Sequence, residues 1–347
     1  MTEPKILFIG PGAIGGSVAA WVAENYPATF VIGHGATPAA LRANGLTTYQ
    51  FDEPEATRRT VRPAIVDRPG EVADAAIVVL AVKNYSLDAV AQQVKDELGD
   101  RPIVVSIANG VDNQRILPKL FSKVIYGIAS YNARREAPGV IGYQHKLPLL
   151  IGTLDNASGA EMRLVQSVLG RGCPTEIVER MQDAIHTKIV VNLTNALDAL
   201  VGRGARPLSN PAIFQRLLTQ TLWEGVRTIR AARHREYRLP GMPSFALLQL
   251  TATLPGWLIR PLFRRRLRAM RMSSMTQDVM QHGAQATELE SITGYIVDLA
   301  AQHGVPVPYN RAILKLGRER FRPGFTPITC EEVLAAVERE QTARSPD

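Results

Sequence analysis

The 347-residue sequence predicts an α/β protein: a domain built on a mostly parallel sheet, followed by an all-helical domain. Three observations predict it. Short apolar runs alternate with helix-period segments over the first 110 residues, strand signals fade after about residue 179, and Gly or Pro clusters separate the later helical segments. The length suits two domains at roughly 150 residues each, and the change of character places them at 1–178 and 179–347.

Lys5 to Ile9 is a short apolar run that stops at Gly10, as a buried parallel strand does. Residues 13–24 carry Ala, Ile, Val and Trp at helical spacing, Thr29 to Ile32 is a second strand, and Pro38 to Asn44 a short helix. Ala75 to Val82 is the most continuous apolar run and reads as a central strand, followed by a helix over about 86–97 and a strand at Ile103 to Ile107. Such alternation calls for right-handed crossovers in a parallel sheet. Val124 to Ser130, Val140 to Gln144 and Leu147 to Gly152 are expected to finish that sheet with antiparallel strands. Residues 181–201, 211–235, 272–303 and 309–319 read as helices.

Composition excludes several classes. With 46% hydrophobic and 21% charged residues the chain is globular and not disordered. Cys173 and Cys330 are too few for a disulfide framework, and no His/Cys cluster has zinc spacing, so no metal is expected. The nearest approach to a membrane span, Phe245 to Ile259, is broken by Gln249, Thr251, Thr253 and Pro255. Met1 to Pro4 lacks a basic targeting region, so a cytoplasmic protein is expected. The net charge of +8 suits an anionic ligand or surface, or solubility alone.

Gly10-Pro11-Gly12-Ala13-Ile14-Gly15, followed by Gly16, is a G-x-G-x-x-G motif placed between the first strand and the first helix. In that context it marks a Rossmann-type dinucleotide site: Gly10 for the turn, Gly12 for approach of the pyrophosphate, Gly15 for close packing of helix on strand. The helix N-terminus then offers free N–H groups to the phosphates. NAD-binding members of this fold carry an acid at the end of the second strand. Here the segment is Ile32-Gly33-His34-Gly35-Ala36-Thr37, which favours NADP(H), with His34, Thr37 and Arg42 as candidate phosphate partners.

Lys83 and Asn109 follow two of the strands at their carboxyl ends, where open α/β sheets bind ligands. A surface lysine and an Asn-Gly turn are the bland alternatives; the shared location favours the site. Lys188, Asn192 and Asn195 form a third cluster on an otherwise apolar helix. At roughly 100° per residue, Asn192 falls about 40° from Lys188 and Asn195 about 20° to the other side. A buried lysine is costly unless a task retains it, and burial lowers its pKa toward that of a proton donor. Ser273 or Ser274 reads as a helix cap or as part of a site for a hydroxylated substrate.

The order of these motifs resembles the ketopantoate reductase (2-dehydropantoate 2-reductase) family over nearly the whole chain. The resemblance rests on the glycine motif, Val82-Lys83, Asn109-Gly110, the K-x-x-x-N of Lys188 and Asn192, Ser273 to Asp278, Thr287 to Gly294, and the run at 303–310. It implies NADPH-dependent reduction of a 2-oxo acid, ketopantoate to pantoate, with Lys188 as general acid. It further implies substrate contacts from Asn109, Asn192 and Ser274, and cofactor contacts from Lys83, Asn109, Ala133 and Glu288. The family's second helix asparagine is replaced by Ala196, and Asn195, one residue earlier, faces the lysine's side by helix geometry and is expected to take its place in binding substrate. The usual arginine after the second strand is replaced by His34, and Ala108 stands where the family has Gln. These departures keep two alternatives open: a related NADP-dependent dehydrogenase of another 2-oxo acid or ketone, and a non-catalytic NADP(H)-sensing protein.

The expected partners are a small 2-oxo acid and, as a homodimer, a second copy of the chain; neither nucleic acid nor membrane is expected. Arg260 to Arg271 carries six arginines with apolar residues at helical intervals, expected as a solvated basic face rather than a nucleic-acid or membrane-surface patch.

Overall fold

The computed structural model describes residues 3–157, 159–269, 272–281 and 287–342. The chain forms two compact units, Met1–Gln182 and Asp183–Asp347.

The first unit begins with β1 (Lys5–Ile9), α1 (Ala13–Ala23), β2 (Thr29–Ile32), α2 (Thr37–Asn44), β3 (Leu46–Gln50) and a single turn, α3 (Pro54–Thr57). It continues with β4 (Arg59–Val61), β5 (Ala64–Ile65), β6 (Ala75–Leu80), α4 (Asn84–Leu98), β7 (Ile103–Ser106), α5 (Asp112–Leu120) and β8 (Val124–Ala129). It closes with β9 (Ala133–Ala137), β10 (Val140–Tyr143), β11 (Leu149–Gly152), α6 (Ala160–Leu169) and β12 (Thr175–Ile177). Eight strands make one sheet in the order β12-β11-β8-β7-β6-β1-β2-β5. Pairing is parallel throughout except where β11 meets β8.

Side chains alternate across a strand, so each strand feeds two cores. Ile6, Phe8, Ile77, Val79 and Val105 pack with Val18, Trp21 and Val22 of α1 and Val165 and Leu169 of α6. Leu7, Ile9, Val78, Leu80 and Val104 pack on the other face with Leu87, Ala91 and Val94 of α4 and Leu117 of α5. Burial on both faces explains the unbroken apolar run of β6.

Two expectations are corrected. Val124–Ala129 joins the sheet parallel to β7 and is antiparallel only to β11. Val140–Tyr143 does not join the main sheet but lies in a separate four-stranded sheet, β4-β3-β10-β9. The reason is packing against α1: Ile141 is fully buried, and its Cδ1 lies 2.3 Å from where a Cβ on Gly16 would stand. A side chain at 16 would force Ile141 to move.

The second unit is helical. α7 (Met181–Asn192) enters it from the preceding unit, followed by α8 (Thr194–Val201), α9 (Pro211–Ala231), α10 (Phe245–Thr253) and α11 (Gly256–Ala269). Then come α12 (Ser274–Gln281), a π-helical turn (Glu290–Gly294), α13 (Tyr295–Gln302), α14 (Pro308–Arg320) and α15 (Cys330–Thr342). The helix expected over 181–201 is thus divided at Leu193, where Thr194 Oγ1 bonds back to the Val191 carbonyl at 3.1 Å. Among the described residues no helix is long and apolar enough to cross a membrane.

Long α9 organises this unit. Asn210 caps it by accepting from the Ala212 and Ile213 N–H groups at 3.1 and 3.2 Å. Glu224, almost fully buried, accepts from the N–H groups of Tyr309 and Asn310 and from Asn310 Nδ2 at 2.8–3.0 Å, closing the N-terminus of α14. Burial, the larger effect, lifts its carboxyl from 4.5 to about 7, against these donors. Such a group favours the fold fully below 4.5, and the contribution is lost as pH rises through about 7.

Glu224→Ala should therefore lower stability by about 2–3 kcal/mol by orphaning buried N–H groups, read as a shifted urea midpoint at unchanged slope. Glu224→Gln should flatten the loss of stability between pH 5 and 8 that the wild type shows.

Candidate active site

The carboxyl ends of β8, β7, β6, β1 and β2 are neighbours along one edge of the sheet. That edge collects the residues the sequence singled out in this unit. Asn109 follows β7, Lys83 follows β6, the glycine turn follows β1 and His34 follows β2, while Ala133 opens β9 soon after β8.

The turn is built by contacts that exclude side chains. Gly10 sits at φ +94°, its N–H donating to the Ile32 carbonyl at 3.1 Å. A Cβ on Gly15 would stand 2.3 Å from the Gly10 oxygen and 2.4 Å from Ala81 Cβ, so α1 presses onto the turn and onto the chain after β6. Gly12 differs: a Cβ there would meet nothing within 4 Å. Gly12 is the N-cap of α1 and supplies no side-chain cap, and the first turn holds no acid. The N–H groups of Ala13, Ile14 and Gly15 therefore begin the helix without intrahelical partners, beside open space. This cradle fits a pyrophosphate. Pro11 is buried and lies against the Gly33 segment.

His34 is exposed, and its carbonyl accepts from the Thr37 N–H at 3.2 Å. Thr37 is buried against Gly33. Arg42 lies in the last turn of α2 and pairs with Asp67 at 2.7 Å, at the far end of the helix from His34.

Lys83 caps α4 and is half-buried. The residue beside it, Asn84, was passed over by the sequence reading. Asn84 is buried, and its Nδ2 donates to the Asn109 carbonyl, tying the ends of β6 and β7 together. Its Oδ1 is buried without a partner. Below Asn109, Asn113 Nδ2 donates to buried Ser106 Oγ at 3.1 Å. Asn84, Asp112, Arg115, Ile116 and Lys119 line an open cavity of about 410 Å³ beside this corner. The only sequence sign of Asn84's role was its position directly after Lys83.

In the helical unit Lys188 and Asn192 lie one turn apart on α7. Desolvation pulls the Lys188 ammonium from 10.5 down to about 8, although the residue keeps some exposed surface. Asn192 is nearly buried at the end of the helix. Asn195 lies on α8, just past Leu193, whose backbone stays helical at φ −57° and ψ −25° with its N–H on the Ile189 carbonyl at 3.1 Å. The Asn195 carbonyl accepts from Ser273 Oγ at 3.5 Å. Ser273 also accepts from the Thr276 N–H at 3.2 Å, which makes it the cap of α12. The Ser274 side chain lies outside the described residues. Glu288 is buried just before the π-helical turn, its carbonyl accepting from the Ile292 N–H at 3.2 Å. Such turns recur at functional sites.

Parallel pairing, the glycine turn and the helical second unit define a Rossmann-like sheet domain joined to a helical domain, an architecture of two-domain oxidoreductases. The sequence matches the family described as "Ketopantoate reductase PanE/ApbA" over residues 6–156 and its C-terminal part over residues 180–320. The chain belongs to the ketopantoate reductase family. It is 28% identical over 328 residues to a 2-dehydropantoate 2-reductase of Halobacterium salinarum, covering 92% of this chain and all of that one. Among solved structures, a ketopantoate reductase of this family from Ralstonia eutropha shares the fold with a TM-score of 0.71 at 21% identity, over 97% of this chain and 99% of that one. D-mandelate dehydrogenase, solved with NADH and anilino(oxo)acetate, shares it with a TM-score of 0.71 at 18% identity and the same coverage.

The second and third glycines of the motif should separate ligand approach from packing. Gly12→Ala is expected to unfold as the wild type does while binding a nicotinamide dinucleotide about tenfold or more weakly, measured by fluorescence titration. Gly15→Ala should instead lower stability, by about 1–3 kcal/mol, seen in the urea midpoint.

Proposed function

We propose that this protein is an NADPH-dependent reductase of a 2-oxo acid, with ketopantoate the substrate and pantoate the product. The observation that supports it most is Lys188, a lysine whose ammonium is desolvated and brought down to about 8. At neutral pH such a group is still protonated and gives up its proton readily. The family's curated relatives, named 2-dehydropantoate 2-reductases, supply the choice of acid.

The N–H groups opening α1 hold the pyrophosphate, Gly12 leaving room for it. The segment after β2 carries no carboxylate to repel a 2′-phosphate, and exposed His34 stands there to meet one. Arg42, engaged with Asp67, is not part of that subsite. When bound, the nicotinamide supplies a hydride to the carbonyl carbon. Lys188 delivers its Nζ proton to the carbonyl oxygen, yielding the 2-hydroxy acid, and is reprotonated from solvent. Asn192, one turn further, orients the substrate with its amide, together with Ser274. Asn84 holds the Asn109 backbone so that Asn109 can reach the bound ligands. Cys173 and Cys330 are both buried free thiols, which suits a reducing compartment, and we place the reaction in the cytoplasm.

Reduction should follow the protonated lysine: kcat/KM with NADPH and ketopantoate is level below pH 8 and falls above it, while oxidation of pantoate rises over the same range. A reduction profile flat to pH 10 would exclude the lysine as acid. Lys188→Met should lose about 10²–10⁴-fold in turnover with dinucleotide binding retained. The same variant should be more stable than the wild type at pH 7. A lysine whose folded pKa lies below its unfolded value costs stability because the unfolded chain takes up the proton first; the cost builds as pH falls from 10.5 to about 8 and is fully present below that. Oxidation of NADPH several-fold faster than NADH, with ketopantoate preferred over other branched 2-oxo acids, tests the choice of cofactor and substrate.

A further inference from the structure

Four of the five large apolar side chains exposed among the described residues fall within nine positions: Leu250, Leu254, Trp257 and Leu258. They occupy the end of α10, the short corner after it and the first turn of α11. Trp257 is the most exposed, at 67%. Scattered exposed leucines need no explanation, but a concentrated patch with a tryptophan at its tip does.

The patch is held in place from beneath. Gln220 Nε2 donates to the Ala252 carbonyl at 2.8 Å, and Gln215 Nε2 donates to the Gly256 carbonyl at 3.0 Å, so both sides of the corner are tied to α9. Ile259 and Phe263 are buried, the Phe263 ring lying 6.3 Å from that of Phe214 on α9. One face of α11 is thereby spent on the unit's own core, while Trp257, Leu258 and Arg260 are left outside. The same helix carries Arg260, Arg264, Arg265, Arg266 and Arg268 and no acidic residue.

We propose that the α10–α11 corner docks on an anionic lipid bilayer surface, with Trp257, Leu258, Leu254 and Leu250 entering the headgroup region and exposed Arg260, on a helix segment rich in arginine and without an acidic residue, meeting the lipid phosphates. Tryptophan and leucine beside a cluster of arginines form the pattern that binds such surfaces, the apolar residues supplying burial and the cations attraction. A two-fold contact of this patch with a second copy would set two arginine-rich helices against each other, so charge disfavours self-association here. The solvated basic face expected from the sequence accounts for the arginines but leaves the four exposed apolar residues unexplained. None of the proposed site residues lies in this corner, so NADPH binding serves as the control for folding.

The test is sedimentation of the full-length protein with phosphatidylcholine vesicles, with and without phosphatidylglycerol, at low and high salt. The expected result is binding to the anionic vesicles only, weakened by salt, with a blue shift of tryptophan emission. The double variant Trp257→Ser, Leu258→Ser should bind these vesicles about tenfold more weakly with NADPH binding and stability unchanged. Arg260→Glu should also reduce binding, and lessen its salt dependence. Absence of vesicle binding, equal binding to neutral vesicles, or unaltered binding by the double variant would overturn the proposal. So would a dimer in lipid-free solution that the double variant dissolves, which would assign the patch to a second copy, or binding to RNA in preference to vesicles.

Discussion

The contact between α1 and the turn after β1 is the constraint on which the first unit depends. A helix can end against a strand this closely only if the meeting point has no side chain, and Gly15 is within 2.4 Å of both neighbours by the measure of a missing Cβ. The same helix must also admit Ile141 at Gly16 on another face. Three consequences follow from one small-residue helix. Its N-terminus is aimed past the sheet edge, the second sheet can close over its side, and the space beside Gly12 stays open for a ligand.

The helical unit makes a different concession. A desolvated ammonium costs stability, and the fold meets that cost at Lys188. Elsewhere in the unit buried carboxyls are disfavoured as ions by burial too, but have partners: Asp198 lies against Arg203, and Glu224 accepts from three donors at the start of α14.

Where one physical signal dominates, the sequence was enough. β1 and β6 are apolar because both faces are buried, and the glycine turn is legible because Gly10 and Gly15 sit where side chains would clash. β3 (LTTYQ), β4 (RTV) and β9 (ARREA) were missed because the second sheet is small and partly exposed, so its strands carry polar residues and show little apolar signal. Arg42 was drawn toward a phosphate by proximity in sequence, whereas an acidic partner from the chain after β5 holds it at the other end of its helix. The division at Leu193 left no trace, since Val-Asn-Leu-Thr-Asn reads as ordinary helix. Asn84 could be valued only once its amide was seen to bridge two strand ends.

The most direct measurement is the titration of Lys188 itself, followed by NMR of lysine side chains labelled at Cε and assigned by comparison with Lys188→Met. A midpoint near 8 in the free protein, distinct from the other lysines, is the expected result. A midpoint of 10.5 would mean that the ammonium is fully hydrated and that the proposed proton donor has no special reactivity.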